Sequence, residues 1–320
     1  MVAPGFLKNP EVQKWLNGIE PAWTLLEFSS FNALRQEPSR NNRAIRLAND
    51  LNAAEIAASA VARNTLLLLR SAVARNGLKL TATGNLSRAV VAEMLPLFEW
   101  PHYDTVGVLS FNKVVNEPDF LPLHFVRLVA QAAQLFRSRH GKLMATQLGK
   151  DLLGTDRQCA LQAILFHVAF WHANLAYFGR GLLGSWPQSD AGVVLWSLSA
   201  AASEWQSRER LTRFCTVPIN DVLESTWDVG SSAMEARILR PLLWFGLLEH
   251  RNEEPSSAEF GNRYSYRKAP LFDRFVTFDV RIEGPSSLRA DSDEVAQAFR
   301  FDGARDSDMM SPRVSGLAGW

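Results

Sequence analysis

The stretch from Pro118 to Leu153 has counterparts elsewhere in the chain, and a repeat narrows the folds that a sequence can adopt. Phe125, Leu128, Val129, Ala132, Leu135 and Phe136 recur there at the spacing of one apolar helix face. The helix is expected to give out in Arg137-Ser138-Arg139-His140-Gly141, where glycine accepts the backbone angles of a stop. Leu143 to Ala145 then reads as a short strand, and Thr146 with Gly149 leads into a second helix. A copy lies upstream. Leu66, Leu67, Leu69, Ala72 and Val73 make an apolar helix ending at Asn76-Gly77, followed by alternating residues from Leu78 to Gly84. The differences 143 − 78, 146 − 81 and 149 − 84 all equal 65. A looser third copy runs from Met234 to Val276, with a polar loop over Asn252 to Asn262, and lacks both the threonine and the closing glycine.

Helix, basic turn, Gly-x-Leu-x-x-Thr-x-x-Gly and helix is the order of recognition helix and wing in winged helix-turn-helix domains, which these residues resemble. The expected fold is mainly α with small β-hairpins, built as tandem winged helix-turn-helix-like units around a helical hairpin. The pattern divides the chain into an N-terminal arm with a basic helix (1–52), a first unit (53–115), a second (116–154), a helical hairpin (155–215), a third unit (216–283) and a mobile tail (284–320). The arm is expected to pack on the first unit. Ala53 to Ala74 is alanine-rich and reads as two helices meeting near Arg63-Asn64-Thr65. Val106 to Phe111 suits a short strand. The hairpin would comprise Arg157 to Phe178 and Val193 to Trp205.

With 47% apolar residues in 320, the chain can bury a large core, so global disorder is excluded. A net charge of +1 argues against a protein that coats itself in nucleic acid, and leaves room for a local basic surface. Cys159 and Cys215 are too few and too far apart for a zinc ribbon or a disulfide framework. The N-terminus lacks a signal-peptide pattern, and polar residues interrupt the most apolar helix. A cytoplasmic location and no membrane contact are expected.

Catalytic signatures are missing. The sequence has no phosphate-binding Gly-x-x-x-x-Gly-Lys-Ser/Thr loop, no Gly-x-Gly-x-x-Gly after a strand and no Gly-x-Ser-x-Gly. His167 and His172 are five apart, which in a regular helix turns them to different faces, and they read as satisfied polar groups in an aromatic core. Asp119 reads as the N-cap of the helix that follows. No catalytic residue, metal ligand or cofactor is therefore assigned, and an enzyme is disfavoured.

Binding is better supported. Arg127, Gln131 and Gln134 fall on one helix face, and Arg and Gln are the side chains that bond bidentately to guanine and adenine edges. Arg137, Arg139, His140 and Lys142 fall where a wing meets phosphates. Arg70, Arg75 and Lys79 hold similar places in the first copy, and Arg237, Arg240, Arg251, Arg263, Arg267 and Lys268 in the third. Arg43 and Arg46, read on one helix face, could grip phosphates as well. The same polar residues would also cover the outer face of any amphipathic helix. The first reading is a non-enzymatic DNA-binding or regulatory protein; the alternative is a protein-interaction scaffold or assembly subunit that binds a partner protein or a second copy of itself, and an enzyme acting on nucleic acid comes third.

Gly77 to Leu86, together with Asp119 to His124 and Gly141-Lys142-Leu143 through Gly149, resembles the helical, wing-containing part of bacterial proteins related to the plasmid ORF-3-like family. The resemblance covers about residues 60–153. It implies a bacterial, cytoplasmic protein with an accessory role in mobile DNA, regulation or defence, and supplies no catalytic residues.

Overall fold

The computed structural model describes residues 6–103, 114–154, 157–179, 181, 183–225, 228–253 and 263–282. The strand expected at Val106–Phe111, most of the polar loop before Arg263 and the tail from Gly284 lie outside the described residues. The described chain is mainly helical with small antiparallel sheets. Its N-terminal part holds α1 (Pro10–Leu16), α2 (Phe28–Arg35), β1 (Ile45–Leu47), α3 (Ala53–Ala58) and α4 (Ala60–Ala74). Then come β2 (Leu78–Lys79), α5 (Arg88–Met94), α6 (Leu121–Ala132), β3 (Phe136–Arg139), β4 (Lys142–Ala145), α7 (Gln147–Asp151) and α8 (Leu161–His167). The C-terminal part holds α9 (Ala191–Ala201), β5 (Gln206–Ser207), α10 (Arg208–Cys215), α11 (Asn220–Leu223), α12 (Val229–Met234) and α13 (Arg240–Trp244). It closes with β6 (Leu248–Glu253), β7 (Arg263–Lys268), α14 (Pro270–Phe275) and β8 (Val276–Phe278).

Local hydrogen bonding decides where these helices begin. Asn52 Oδ1 accepts from the Ala54 and Glu55 N–H groups while Glu55 Oε2 accepts from Asn52 N–H, which starts α3. Ser59 ends that helix and starts the next, its hydroxyl accepting from Ala62 N–H at 3.2 Å. The junction therefore falls a turn before the expected Arg63-Asn64-Thr65. Asn64 and Thr65 lie inside α4, where each donates to a carbonyl four residues back, at Ala60 and Val61. Asp119 does not cap α6 either. Its carboxylate accepts from Asn116 N–H at 3.0 Å, and Phe120 holds the cap position without a side-chain bond.

Three helices end alike. Asn76, Gln134 and Gly246 adopt left-handed backbone angles (φ 50°, 59° and 73°). In each case the next N–H bonds back over the last turn, from Gly77 to Ala72 O, Leu135 to Ala130 O and Leu247 to Leu242 O. The central helix thus stops at Ala132, well before the basic segment. Phe136 to Arg139 is a strand, and His140-Gly141, both at positive φ, make a two-residue hairpin turn into β4.

The first sheet has the order β2-β4-β3. Leu78 lies opposite Leu143 and Lys79 opposite Lys142, so the two copies separated by 65 residues contribute strands to one sheet, across the division drawn at residues 115 and 116. A two-residue strand has too few bonds to stand alone, and β4 supplies both ladder partners and an apolar neighbour. A similar succession of helix, short strand, helices, hairpin and helix recurs from α9 to α14, with more helical pieces (α10 to α13) before the hairpin and with sheet order β5-β7-β6. The second occurrence therefore opens at Ala191, inside the segment expected to form a helical hairpin. The two helices of that segment make their main contacts elsewhere. Helix α8 lies on α4, with Gln162 Nε2 donating to Phe245 O at 2.9 Å, and α9 lies on α2 and α10.

A third ladder pairs β1 with β8, with Ile45 opposite Phe278 and Leu47 opposite Val276. The N-terminal arm packs on the C-terminal part rather than on the first unit. Trp23 Nε1 donates to Thr216 O at 2.9 Å, and Arg35 pairs with Asp190 at 2.7 Å. Aromatic rings join the halves: Phe125 meets Trp244 at 4.8 Å, and Phe166 meets Phe245 and Phe275 at 5.2 Å each.

After His167, α8 widens into a π turn over Val168–His172. A π turn spaces its hydrogen bonds five residues apart, which returns residue i+5 to the face of residue i. His167 and His172 therefore stand side by side, with their Nε2 atoms 3.1 Å apart, against the expectation for a regular helix.

Candidate nucleic-acid interface

Strand alternation sorts the first sheet into two faces. Leu78, Phe136, Leu143 and Ala145 point inward and are buried. Lys79, Arg137, Arg139 and Lys142 point outward and are exposed, as is His140 at the turn. The register places Lys79, Lys142 and Arg139 directly side by side, one cation per strand. Like charges at opposed positions cost stability, so the row is not there for the sheet's own benefit. Among the described residues no carboxylate forms an ion pair with any member of it. Lys142 Nζ reaches Asn76 O at 3.3 Å. Lys79 also borders an open cleft of ≈ 710 Å³ shared with Thr81, Thr83, Asn85 and Arg88.

The second sheet has the same strand order and different electrostatics. Its matching rows hold Ser207, Ser265 and Arg251, and Gln206, Tyr266 and His250. Three of its cations are engaged: Arg267 pairs with Glu249 at 2.6 Å, Lys268 with Asp273 at 2.8 Å, and Arg251 lies 4.7 Å over the Trp205 ring. Arg237 is buried and donates to Trp186 O, and Arg240 donates to Phe178 O at 2.9 Å.

The predicted reading face divides differently. Helix α6 is covered on all sides, and Arg127 is only 6% exposed. Its guanidinium donates from Nε to Glu117 Oε1 and from Nη1 to Gln131 Oε1 at 3.0 Å. Gln131 is half-buried beside it, and Gln134 lies beyond the helix at the left-handed cap. Arg127 and Gln131 therefore bond each other inside the protein and have no exposed helix face to present to a groove. Arg43 is exposed and precedes β1, and Arg46 sits on that strand, paired with Asp279 at 2.9 Å. The shared helix face expected for them does not form. Arg137, Arg139 and Lys142 are the predicted residues that the fold brings together on one surface.

Sequence reasoning assigned no role to Glu117, which is fully buried. It accepts from Arg127, from His124 Nδ1 at 2.7 Å and from Leu86 N–H at 2.5 Å, and His124 Nε2 continues to Tyr177 Oη at 3.1 Å. Burial raises a carboxyl group's affinity for its proton. Here the His124 hydrogen bond, the Arg127 charge and the Leu86 N–H outweigh burial and hold Glu117 below the usual glutamate range. The spacing of Glu117, His124 and Arg127, at seven and three residues, was a usable signal once α6 was known to be buried all round.

Among the described residues no helix is long and apolar enough to cross a membrane. No solved structure matches the chain. An uncharacterised protein, y4jL, of Sinorhizobium fredii (strain NBRC 101917 / NGR234) is 35% identical over 109 residues, which cover 34% of this chain and 49% of that protein. The chain thus spans about half the length of this bacterial relative. The Y4jL N-terminal domain family matches residues 57–158, the segment that contains α4 to α7, the first sheet with its row of cations, and Glu117.

Proposed function

We propose that this chain is a non-enzymatic DNA-binding protein made of two winged-helix-like units, α4 to α7 and α9 to α14, of which the first grips the phosphate backbone. The observation that carries the reading is the row Lys79, Lys142 and Arg139, extended by Arg137, exposed without carboxylate partners among the described residues. The second unit's row of the same topology holds a single cation. Because α6 has no exposed face, the contacts are to phosphates and tolerate sequence rather than read bases. An accessory role in mobile DNA, as the plasmid-family resemblance implies, suits such binding.

Titration of a fluorescent duplex at two salt concentrations tests the proposal. Four phosphate contacts give a slope of log affinity against log salt of roughly −3.5. The double variant Arg137→Ala, Arg139→Ala is expected to weaken binding and to flatten that slope by about two. Duplexes of unrelated sequence should bind alike. Absence of binding at low salt, or a double variant that binds as the parent does, would rule the reading out and direct attention to a protein partner.

A further inference from the structure

We propose that Glu37, His167 and His172 form a binding site for a divalent transition metal of the zinc class, with one coordination position left open to solvent. The ligand atoms converge from separate parts of the chain. His167 Nε2 and His172 Nε2 are 3.1 Å apart, with Glu37 Oε1 3.5 Å from the first and Glu37 Oε2 3.6 Å from the second. One ligand atom from each residue lies within 4.8 Å of the others. A tetrahedral ion with bonds of about 2.0–2.1 Å separates its ligands by roughly 3.3 Å, close to the spacing of the two imidazole nitrogens and of each nitrogen from its own nearer Glu37 oxygen.

Without a cation the arrangement is awkward. Each imidazole Nε2 faces both the other ring and a carboxylate oxygen, and one proton between the two nitrogens cannot serve every contact. If both nitrogens carried protons to satisfy Glu37, two N–H groups would oppose each other across 3.1 Å. A bound cation meets all three lone pairs together.

The surroundings hold the ligands in place. The π turn puts the two histidines on one face, and such turns gather at functional sites. Trp171 stacks on His167 at 5.6 Å between ring centroids. The Glu37 backbone carbonyl accepts from Asn42 Nδ2 at 3.2 Å, and the same amide donates to Ala33 O at 2.8 Å, tying the loop to the end of α2. His167 is buried, whereas the side chains of His172 and Glu37 are 28% and 48% exposed, so the open position faces solvent. Three protein ligands and one free position leave room for a solvent molecule as the fourth ligand.

The test is calorimetric titration of the full, chelator-treated chain with Zn²⁺, together with the visible spectrum after Co²⁺ is added. One Zn²⁺ per chain and the d–d absorption of low-coordinate Co²⁺ are expected. His172→Ala and Glu37→Gln change exposed side chains and should leave the thermal unfolding of the apo protein unaltered. Each should weaken Zn²⁺ binding by at least roughly 100-fold, more than loss of an outer-shell partner. His140→Ala, at the hairpin turn, should bind as the parent does. No stoichiometric Zn²⁺ binding, or equal affinity in the parent and the His172→Ala variant, would overturn the assignment.

Discussion

Replacing Glu117 by alanine is expected to lower the unfolding free energy by about 3–5 kcal/mol. The carboxylate is fully buried and anchors three donors, so its removal leaves the Arg127 guanidinium as an uncompensated charge in the interior. Leu86 N–H loses its partner as well, and a buried unpaired donor costs roughly 1–3 kcal/mol by itself. Urea unfolding measures the loss. Glu117→Gln keeps an acceptor of the same shape and should cost less than alanine. A cost below about 1 kcal/mol for alanine would mean that water enters and replaces the carboxylate. The pH dependence gives an independent check. A carboxyl held below its ordinary range contributes stability that is present above the unfolded-state value, about 4.3 for glutamate, and is lost as pH falls through the folded value. The parent should therefore lose stability in acid by a component that Glu117→Gln lacks.

The second large effect is expected at Gly192, in the first turn of α9. Alanine is the better helix former by about 1 kcal/mol, so helix propensity predicts stabilisation. Packing predicts the reverse. A Cβ atom at residue 192 would lie 2.1 Å from Leu34 O and 2.5 Å from Ile45 Cδ1, and the first of these is backbone at the end of α2. Overpacking of this kind costs about 1–3 kcal/mol and outweighs the propensity gain. Gly192→Ala should thus lower the urea midpoint with the m-value unchanged. A raised midpoint would mean that α2 and α9 move apart at little cost, and that the N-terminal arm is loosely held.

What the sequence made legible was local. Apolar spacing located α4, α6 and α9, and Leu143 to Ala145 with Thr146 correctly signalled a strand followed by a capped helix, since Thr146 Oγ1 accepts from Gly149 N–H. The exposed cations of the hairpin were identified from residue type and turn position alone. Pairing between distant segments escaped. Nothing in a 65-residue offset says whether two similar segments fold separately or zip together, because a strand of two residues has no register until its partner is chosen. The polar stripe Arg127, Gln131 and Gln134 misled for a related reason. Periodicity shows that residues share a face, and the burial of that face depended on Glu117, two residues before the Asp119 that was read as a helix cap. The histidine pair was hidden by the assumption of a regular helix, and a π turn leaves no mark in hydrophobic spacing.

The pairing of Leu78 with Leu143 also has a meaning in time. During synthesis at about 5–20 residues per second, β4 is made roughly 3–13 s after β2. Throughout that interval the apolar side of α4, which β4 and α6 later cover, has no cover from either of them. A nascent chain paused between these strands therefore presents Leu66 and Leu69 to whatever lies nearby. It is the stage at which a chaperone has the most to hold and a second nascent copy has the most to stick to.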